Sequence, residues 1–201
     1  MSSRINIALV GLGGQGIITL ANLLAKTFRS QGQEVCFNEV HGLSQRGGSV
    51  QSLLAVNENT CPVFALEDTH YLIGLEKLET LRFLYASKAK PVIIMGNRYE
   101  IRNTVYLDLE NFPEEEEIDA EIRKFAKELY IFNSVEYEKQ IEIKIKPTNI
   151  AIFGALTDFD ELGLDPKLAK KIIRKHFAKN PLAQSFNLTA FKEGKQWLKK
   201  Q

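Results

Sequence analysis

Two glycine-centred stretches hold the residues of this 201-residue chain best suited to bind or transform a ligand. The first is Val10-Gly11-Leu12-Gly13-Gly14-Gln15-Gly16, which follows an apolar run and opens a segment with helical spacing. Gly11, Gly13 and Gly16 fit G-x-G-x-x-G. Glycines permit the tight turn, let backbone approach a ligand and let a helix pack close to its strand. A helix start there offers unpaired N–H groups and the positive end of a dipole, which suits a phosphate or carboxylate. The second stretch is His41-Gly42-Leu43-Ser44-Gln45-Arg46-Gly47-Gly48-Ser49. Here a guanidinium stands beside the Gly47-Gly48 pair, so Arg46 is a planar fork on backbone that can approach an anion closely. Gln45 and Ser49 are its polar neighbours. His41 is the candidate general acid/base, against the plainer role of a hydrogen-bonded loop residue. Ser44 has no evident base partner, so serine nucleophile chemistry is rejected.

Taken alone, the first motif fits either a dinucleotide site or a tight turn without a ligand. Glu39 lies 23 residues beyond Gly16, near where a dinucleotide fold places the acid that holds a ribose hydroxyl. A stand-alone NAD(P)-binding dehydrogenase or reductase is therefore one reading of the chain. His41, Gln45, Arg46 and the Gly47-Gly48 pair have no role in a nicotinamide fingerprint and point elsewhere.

Loops of this kind need strands and helices to carry them. Apolar runs predict strands over 5–10, 33–38, 49–56, 71–74, 92–95 and 130–134, with an alternating edge strand over 104–109. Apolar steps of three and four predict helices over 17–31, stopped at Gly32, and over 76–85. Pro113 and the run Glu114 to Glu117 read as a helix start continuing to about Lys127, not as a metal site, since hard cations need converging oxygens. Glu76 and Glu79 read as surface acids complementing a helix dipole, with a subunit contact as the rival. Ile141, Ile143 and Ile145 alternate with charges, a strand pattern. Beyond Asn149 the pattern is helical, with a basic amphipathic helix after Asp165-Pro166 and a last helix over 181–200 ending in Lys199 and Lys200. The expectation is an α/β fold: a Rossmann-like, mostly parallel sheet flanked by helices, with a helical C-terminal segment. One domain spans 1–201, its core over about 1–135 and its helical part over about 136–201. Strand, glycine loop, helix, strand, glycine loop reads as the first third of a βαβ sheet, whose loops share one crevice.

Composition narrows the function classes. Hydrophobic residues at 44% and charged residues at 25% are ordinary for a globular protein. A net charge of +1 gives no attraction to nucleic acid or anionic lipid. No apolar run approaches the ~20 residues of a spanning helix, and the start of the chain has no signal-peptide pattern, so a cytoplasmic location is expected. Cys36 and Cys61 are the only cysteines. Iron–sulfur clusters usually take four cysteine ligands, so this chain cannot hold a four-iron cluster in the normal way.

The stretches Gly-Leu-Gly-Gly-Gln-Gly and Glu-Val-His-Gly-Leu-Ser-Gln-Arg-Gly-Gly-Ser-Val closely resemble the gamma-type domain of the 2-oxoacid:ferredoxin oxidoreductases, its indolepyruvate branch in particular. The resemblance continues through Leu72 to Glu79, Pro147 to Leu156 and Asn187 to Gly194. It departs at Gln51-Ser52-Leu53-Leu54, where that family often has a further arginine, and before Asn149, where a glycine is absent. It implies a small subunit in oxidative decarboxylation of an aryl 2-oxoacid, with coenzyme A as acyl acceptor and ferredoxin as electron acceptor. Thiamine diphosphate, Mg and the clusters would belong to a large (alpha) subunit, in keeping with the lack of a Gly-Asp-Gly thiamine motif here. The chain would hold no cofactor alone, would take part in no nucleic-acid or membrane binding, and could self-associate when isolated. The resemblance also favours helix over 136–146. A purely structural assembly subunit is the weaker third reading. On this view Gly11, Gly13, Gly14, Gln15, Gly16, Gln45, Arg46, Gly47, Gly48 and Ser49 bind cofactor or substrate.

Overall fold

The computed structural model describes residues 4–41, 48–57, 64–99, 113–141 and 146–200. Gly42 to Gly47, and with them Gln45 and Arg46, lie outside the described residues, as do Cys61, the expected strand over 104–109, and Ile143 and Ile145.

Seven strands form one sheet: β1 (Ile5–Leu12), β2 (Val35–His41), β3 (Ser49–Val56), β4 (Tyr71–Gly74), β5 (Val92–Gly96), β6 (Glu128–Phe132) and β7 (Leu198–Lys200), in the order β2-β3-β1-β4-β5-β6-β7. β1, β4, β5 and β6 pair in parallel. β3 is antiparallel to both β1 and β2, and β7 is antiparallel to β6. Five strands thus point one way. The near-continuous apolar runs of β1, β4 and β5 follow from burial on both faces.

The pleat divides the core. Ile7, Leu9, Ile73 and Ile94 face one layer of helices: α1 (Ile17–Ser30), α4 (Ser134–Gln140), α5 (Thr148–Leu156), α6 (Pro166–His176) and α7 (Pro181–Glu193). Ala8, Val10, Leu72 and Ile93 face the other: α2 (Lys77–Ser87) and α3 (Glu115–Phe125). α5 is buried on all sides from Ile150 to Leu156, which explains its lack of a polar face. Tyr137 is wedged edge-on between Phe132 and Trp197, and burial pushes its phenol up, so it stays neutral. Among the described residues no helix is long and apolar enough to cross a membrane.

Several expectations need correction. β2 does run parallel to β1, but the β2–β3 hairpin folds β3 between them. The eight-residue match of β3 to β1 is longer than any parallel pairing β1 makes, so β3 takes the place a simple βαβ reading gives to β2. The last helix stops at Glu193; a 3-10 turn follows, and Leu198–Lys200 adds a strand beside β6. Lys199 and Lys200 are therefore on an edge strand, not on a helix end. The helix expected over 136–146 is α4 and ends at Gln140.

Glu76 and Glu79 are not surface acids: they are 1% and 3% exposed. Glu76 caps α2, its Oε2 accepting from the Glu79 N–H at 2.8 Å, and Glu79 pairs with Arg82 at 2.8 Å. Such burial is tolerated because each carboxylate meets donors. Buried Lys77 is likewise paired, with Glu115 and Asp119, both at 2.7 Å. The Glu114 to Glu117 run is a helix start with a reciprocal capping box.

Candidate functional site

α1 leaves β1 into one helical layer, whereas α2 leaves the neighbouring β4 into the other. Connections departing to opposite faces open a crevice at the carboxyl ends of β1 and β4, the position where open α/β sheets bind ligands. The first glycine loop lies there.

The loop is braced from three sides. Gln15 folds back so that its Oε1 accepts from the Leu12 N–H at 2.8 Å. A Cβ at Gly11 would stand 2.6 Å from that oxygen, so Gly11 makes room for the brace. Gly13 donates its N–H to the Gly48 carbonyl at 2.8 Å, tying the loop to the return from the second glycine stretch. Gly16 adopts φ +81 at the N-cap of α1, and its carbonyl accepts from Asn149 Nδ2 at 3.1 Å. Among the described residues the first turn of α1 has neither a side-chain cap nor an acidic residue to complement its N–H groups and dipole.

Two hollows border this loop and a third adjoins one of them. The largest, about 560 Å³, lies between Gly14-Gln15-Gly16 and Asn149, Phe177, Leu182 and Phe186. A polar one of about 180 Å³ lies over β4 to β6, lined by Gln15, Leu75, Arg98, Ser134, Glu138 and Thr148. An open one of about 370 Å³ adjoins it at Tyr99, Val135 and Lys139. The polar wall is cross-tied. Asn97 Oδ1 accepts from Ser134 Oγ at 2.9 Å and from the Val135 N–H at 3.1 Å. Arg98 pairs with Glu138 Oε2, and Glu138 Oε1 accepts from Thr148 Oγ1 at 2.6 Å.

Of the residues singled out from sequence, Gly14, Gln15 and Gly16 line the hollows, and Gly11, Gly13 and Gly48 shape the turn. Ser49 faces a smaller hollow of about 160 Å³ with Glu79 and Arg82. His41 ends β2, with Val50 as its backbone partner. Glu39 is on the edge strand, and β3 separates it from β1 by two strand spacings, roughly 10 Å. That spacing removes it from a ribose position at the glycine loop. Lys146, Arg98 and Glu138 gave no motif or period to find them by; Phe186 read as a core or interface aromatic of the last helix, and Asn149 stood in the resembling stretch without an assigned role.

Fold and crevice together define a Rossmann-like α/β chain with a glycine loop at its switch point. The chain belongs to the pyruvate ferredoxin/flavodoxin oxidoreductase family, whose profile matches residues 6–197; it is a subunit of an oxidoreductase. It is 28% identical to the indolepyruvate oxidoreductase subunit IorB of Archaeoglobus fulgidus, over 95% of this chain and 94% of that one. Its fold is similar to pyruvate oxidoreductase subunit PORC from Thermotoga maritima, at TM-score 0.68 and 15% identity, covering 98% of each chain. It is also similar to part of 2-oxoglutarate:ferredoxin oxidoreductase from Magnetococcus marinus, solved with 2-oxoglutarate, coenzyme A and succinyl-CoA bound. There the TM-score is 0.71 at 19% identity, over 98% of this chain and 31% of that one.

Proposed function

We propose that the chain is the small subunit of a ferredoxin-dependent oxidoreductase of aryl 2-oxoacids, indolepyruvate foremost, and that it forms the coenzyme A side of the assembled site. The reaction joins the acyl group of the 2-oxoacid to coenzyme A, releases carbon dioxide and passes two electrons to ferredoxin. The observation that carries this reading is the uncapped start of α1, opening with Gly14-Gln15-Gly16 onto a hollow of about 560 Å³. Backbone N–H groups there suit a phosphate, and the apolar wall of Leu182 and Phe186 suits the rest of a large cofactor-like substrate. Arg46 would bring its fork to the same carboxyl edge, because the loop that carries it returns to Gly13 through Gly48. His41 remains the candidate proton carrier, and Gln45, Gly47 and Ser49 the neighbours of Arg46.

Thiamine diphosphate, Mg and the clusters are assigned to the large subunit, where they would supply the decarboxylation and electron-transfer chemistry. Two cysteines are too few ligands here, and no group of three His, Cys, Asp or Glu converges among the described residues. Ferredoxin would dock on the complex, in the cytoplasm. The stand-alone NAD(P) reading is disfavoured by the strand between Glu39 and the glycine loop.

The test is reconstitution with the large subunit. The complex should reduce a dye with 2-oxoacid and coenzyme A, while the chain alone should neither do so nor carry stoichiometric iron. A brown isolated chain, or micromolar NAD affinity lost on Glu39→Ala, would overturn the reading. In the complex, Arg46→Lys keeps the charge but loses the planar fork. It should cost about 1.5–3 kcal/mol in the Michaelis constant for coenzyme A or 2-oxoacid, whereas Arg174→Lys on the exposed side of α6 should change neither. Equal behaviour of the two variants removes Arg46 from the site.

A further inference from the structure

One side chain lines all three hollows: Lys146. It is half-buried beside the start of α5, and it makes no ion pair among the described residues. The acid that lines these hollows with it is Glu138, but both of its oxygens are engaged, Oε2 by Arg98 and Oε1 by the Thr148 hydroxyl at 2.6 Å. Arg98 spends its charge on that carboxylate. Lys146 is left as the cation facing the junction. A partly desolvated cation without a counter-charge is costly unless an anion arrives.

On the loop side of the same junction stands Gln15. Its Oε1 is held by the Leu12 N–H, which fixes the direction of the amide. Its Nε2 is buried and has no hydrogen-bond partner among the described residues. A buried donor left unsatisfied costs about 1–3 kcal/mol, so this amide also calls for an acceptor from outside. The start of α1 borders the same hollow through Gly16 and Thr19. Three kinds of donor, from the β1–α1 loop, the start of α1 and the residue before Pro147 and α5, border these hollows, with the one lining carboxylate paired.

We propose that Lys146 and Gln15 hold the anionic group, phosphate or carboxylate, of the ligand that enters this junction, and that the Arg98–Glu138–Thr148 tie keeps Glu138 off Lys146. This rests on the function proposed above and deepens it by naming the charge-recognising residues. It predicts a role for Thr148 at a distance: without its hydroxyl, Glu138 Oε1 is free to turn to Lys146 and compete with the ligand.

The experiment uses the reconstituted complex with Lys146→Met, Lys146→Arg and Thr148→Val, with both Michaelis constants followed over a range of salt. Lys146→Met should raise one constant about tenfold or more and flatten its salt dependence. A rise for coenzyme A identifies a phosphate, a rise for the 2-oxoacid a carboxylate. Lys146→Arg should restore the constant to within about threefold, and Thr148→Val should raise the same constant as Lys146→Met. An active unmutated complex whose constants stay within about twofold in Lys146→Met overturns the proposal. So does a rise that Lys146→Arg fails to reverse. If the unmutated complex is inactive, the proposed function fails instead. Pyrophosphate titration of the full chain by calorimetry then decides the matter for Lys146, since binding that survives Lys146→Met unchanged overturns its role.

Discussion

Gly154→Ala is expected to destabilise the chain by about 3 kcal/mol, at the upper end of core overpacking. A Cβ at this position would stand 1.9 Å from the Phe191 carbonyl oxygen, and one at Gly194 would stand 1.8 Å from that of Ala151. The obstacles are backbone atoms, so no rotamer change relieves them. α5 and the end of α7 touch main chain to main chain, and Phe153 packs edge-on against Phe191 in the same contact, with centroids 5.3 Å apart. An added methyl must push the helices apart and unpack that aromatic pair. For a chain of this size the loss corresponds to a fall in Tm of roughly 6–12 °C. Thermal unfolding followed by circular dichroism measures it, and a Tm within about 2 °C of the parent would show that the two helices can separate cheaply. Since α5 also carries Asn149 to the glycine loop, a loosened α5 should weaken ligand binding as well.

Gly16→Ala should damage the site more than it damages the fold. At φ +81 an alanine is strained, at a cost of about 1–3 kcal/mol. Its Cβ would also lie 2.3 Å from Asn149 Nδ2. Either Asn149 withdraws, breaking its bond to the Gly16 carbonyl, or the start of α1 shifts and its N–H groups turn from the crevice. Gly14→Ala separates the two effects. Gly14 also has positive φ, but nothing lies within 4 Å of its missing Cβ. The stability cost of the two variants should therefore be similar, while Gly16→Ala raises the Michaelis constant for coenzyme A by at least about tenfold and Gly14→Ala by much less. Adding Asn149→Ala to Gly16→Ala should recover part of the loss, because the clash goes and only the strain remains. Strictly additive effects in that cycle would mean that Asn149 does not position the loop.

How much of this was legible beforehand varies from element to element. β3 and β4 were readable to the residue, because Ser49 to Val56 and Tyr71 to Gly74 are bounded by polar turns and buried on pairing. β7 was not readable: Leu198-Lys199-Lys200 has neither length nor alternation, and it becomes a strand only because β6 leaves an edge for it. Glu76 and Glu79 looked like surface acids, since a carboxylate at a helix start is common. Their burial follows from donors that only the folded chain brings to them. The Gly-rich turn announced itself through residue type, but its braces did not, since Asn149 lies 133 residues from Gly16.

By itself the sequence determined the alternation of strands and helices, the glycine turn at the end of β1, the helix cap at Asp165, the helix start at Glu114 to Glu117, and the family. These follow from properties carried by a few neighbouring residues: apolar period, left-handed tolerance of glycine, and a side chain that reaches its own backbone. The tertiary structure alone decided that β3 lies between β1 and β2, which takes Glu39 away from the glycine loop. It decided too that both oxygens of Glu138 are tied, to Arg98 and Thr148, and that Lys146 lines the crevice with Gln15. Strand order and charge neutralisation depend on which distant groups come within a few ångströms, and no local pattern encodes that distance.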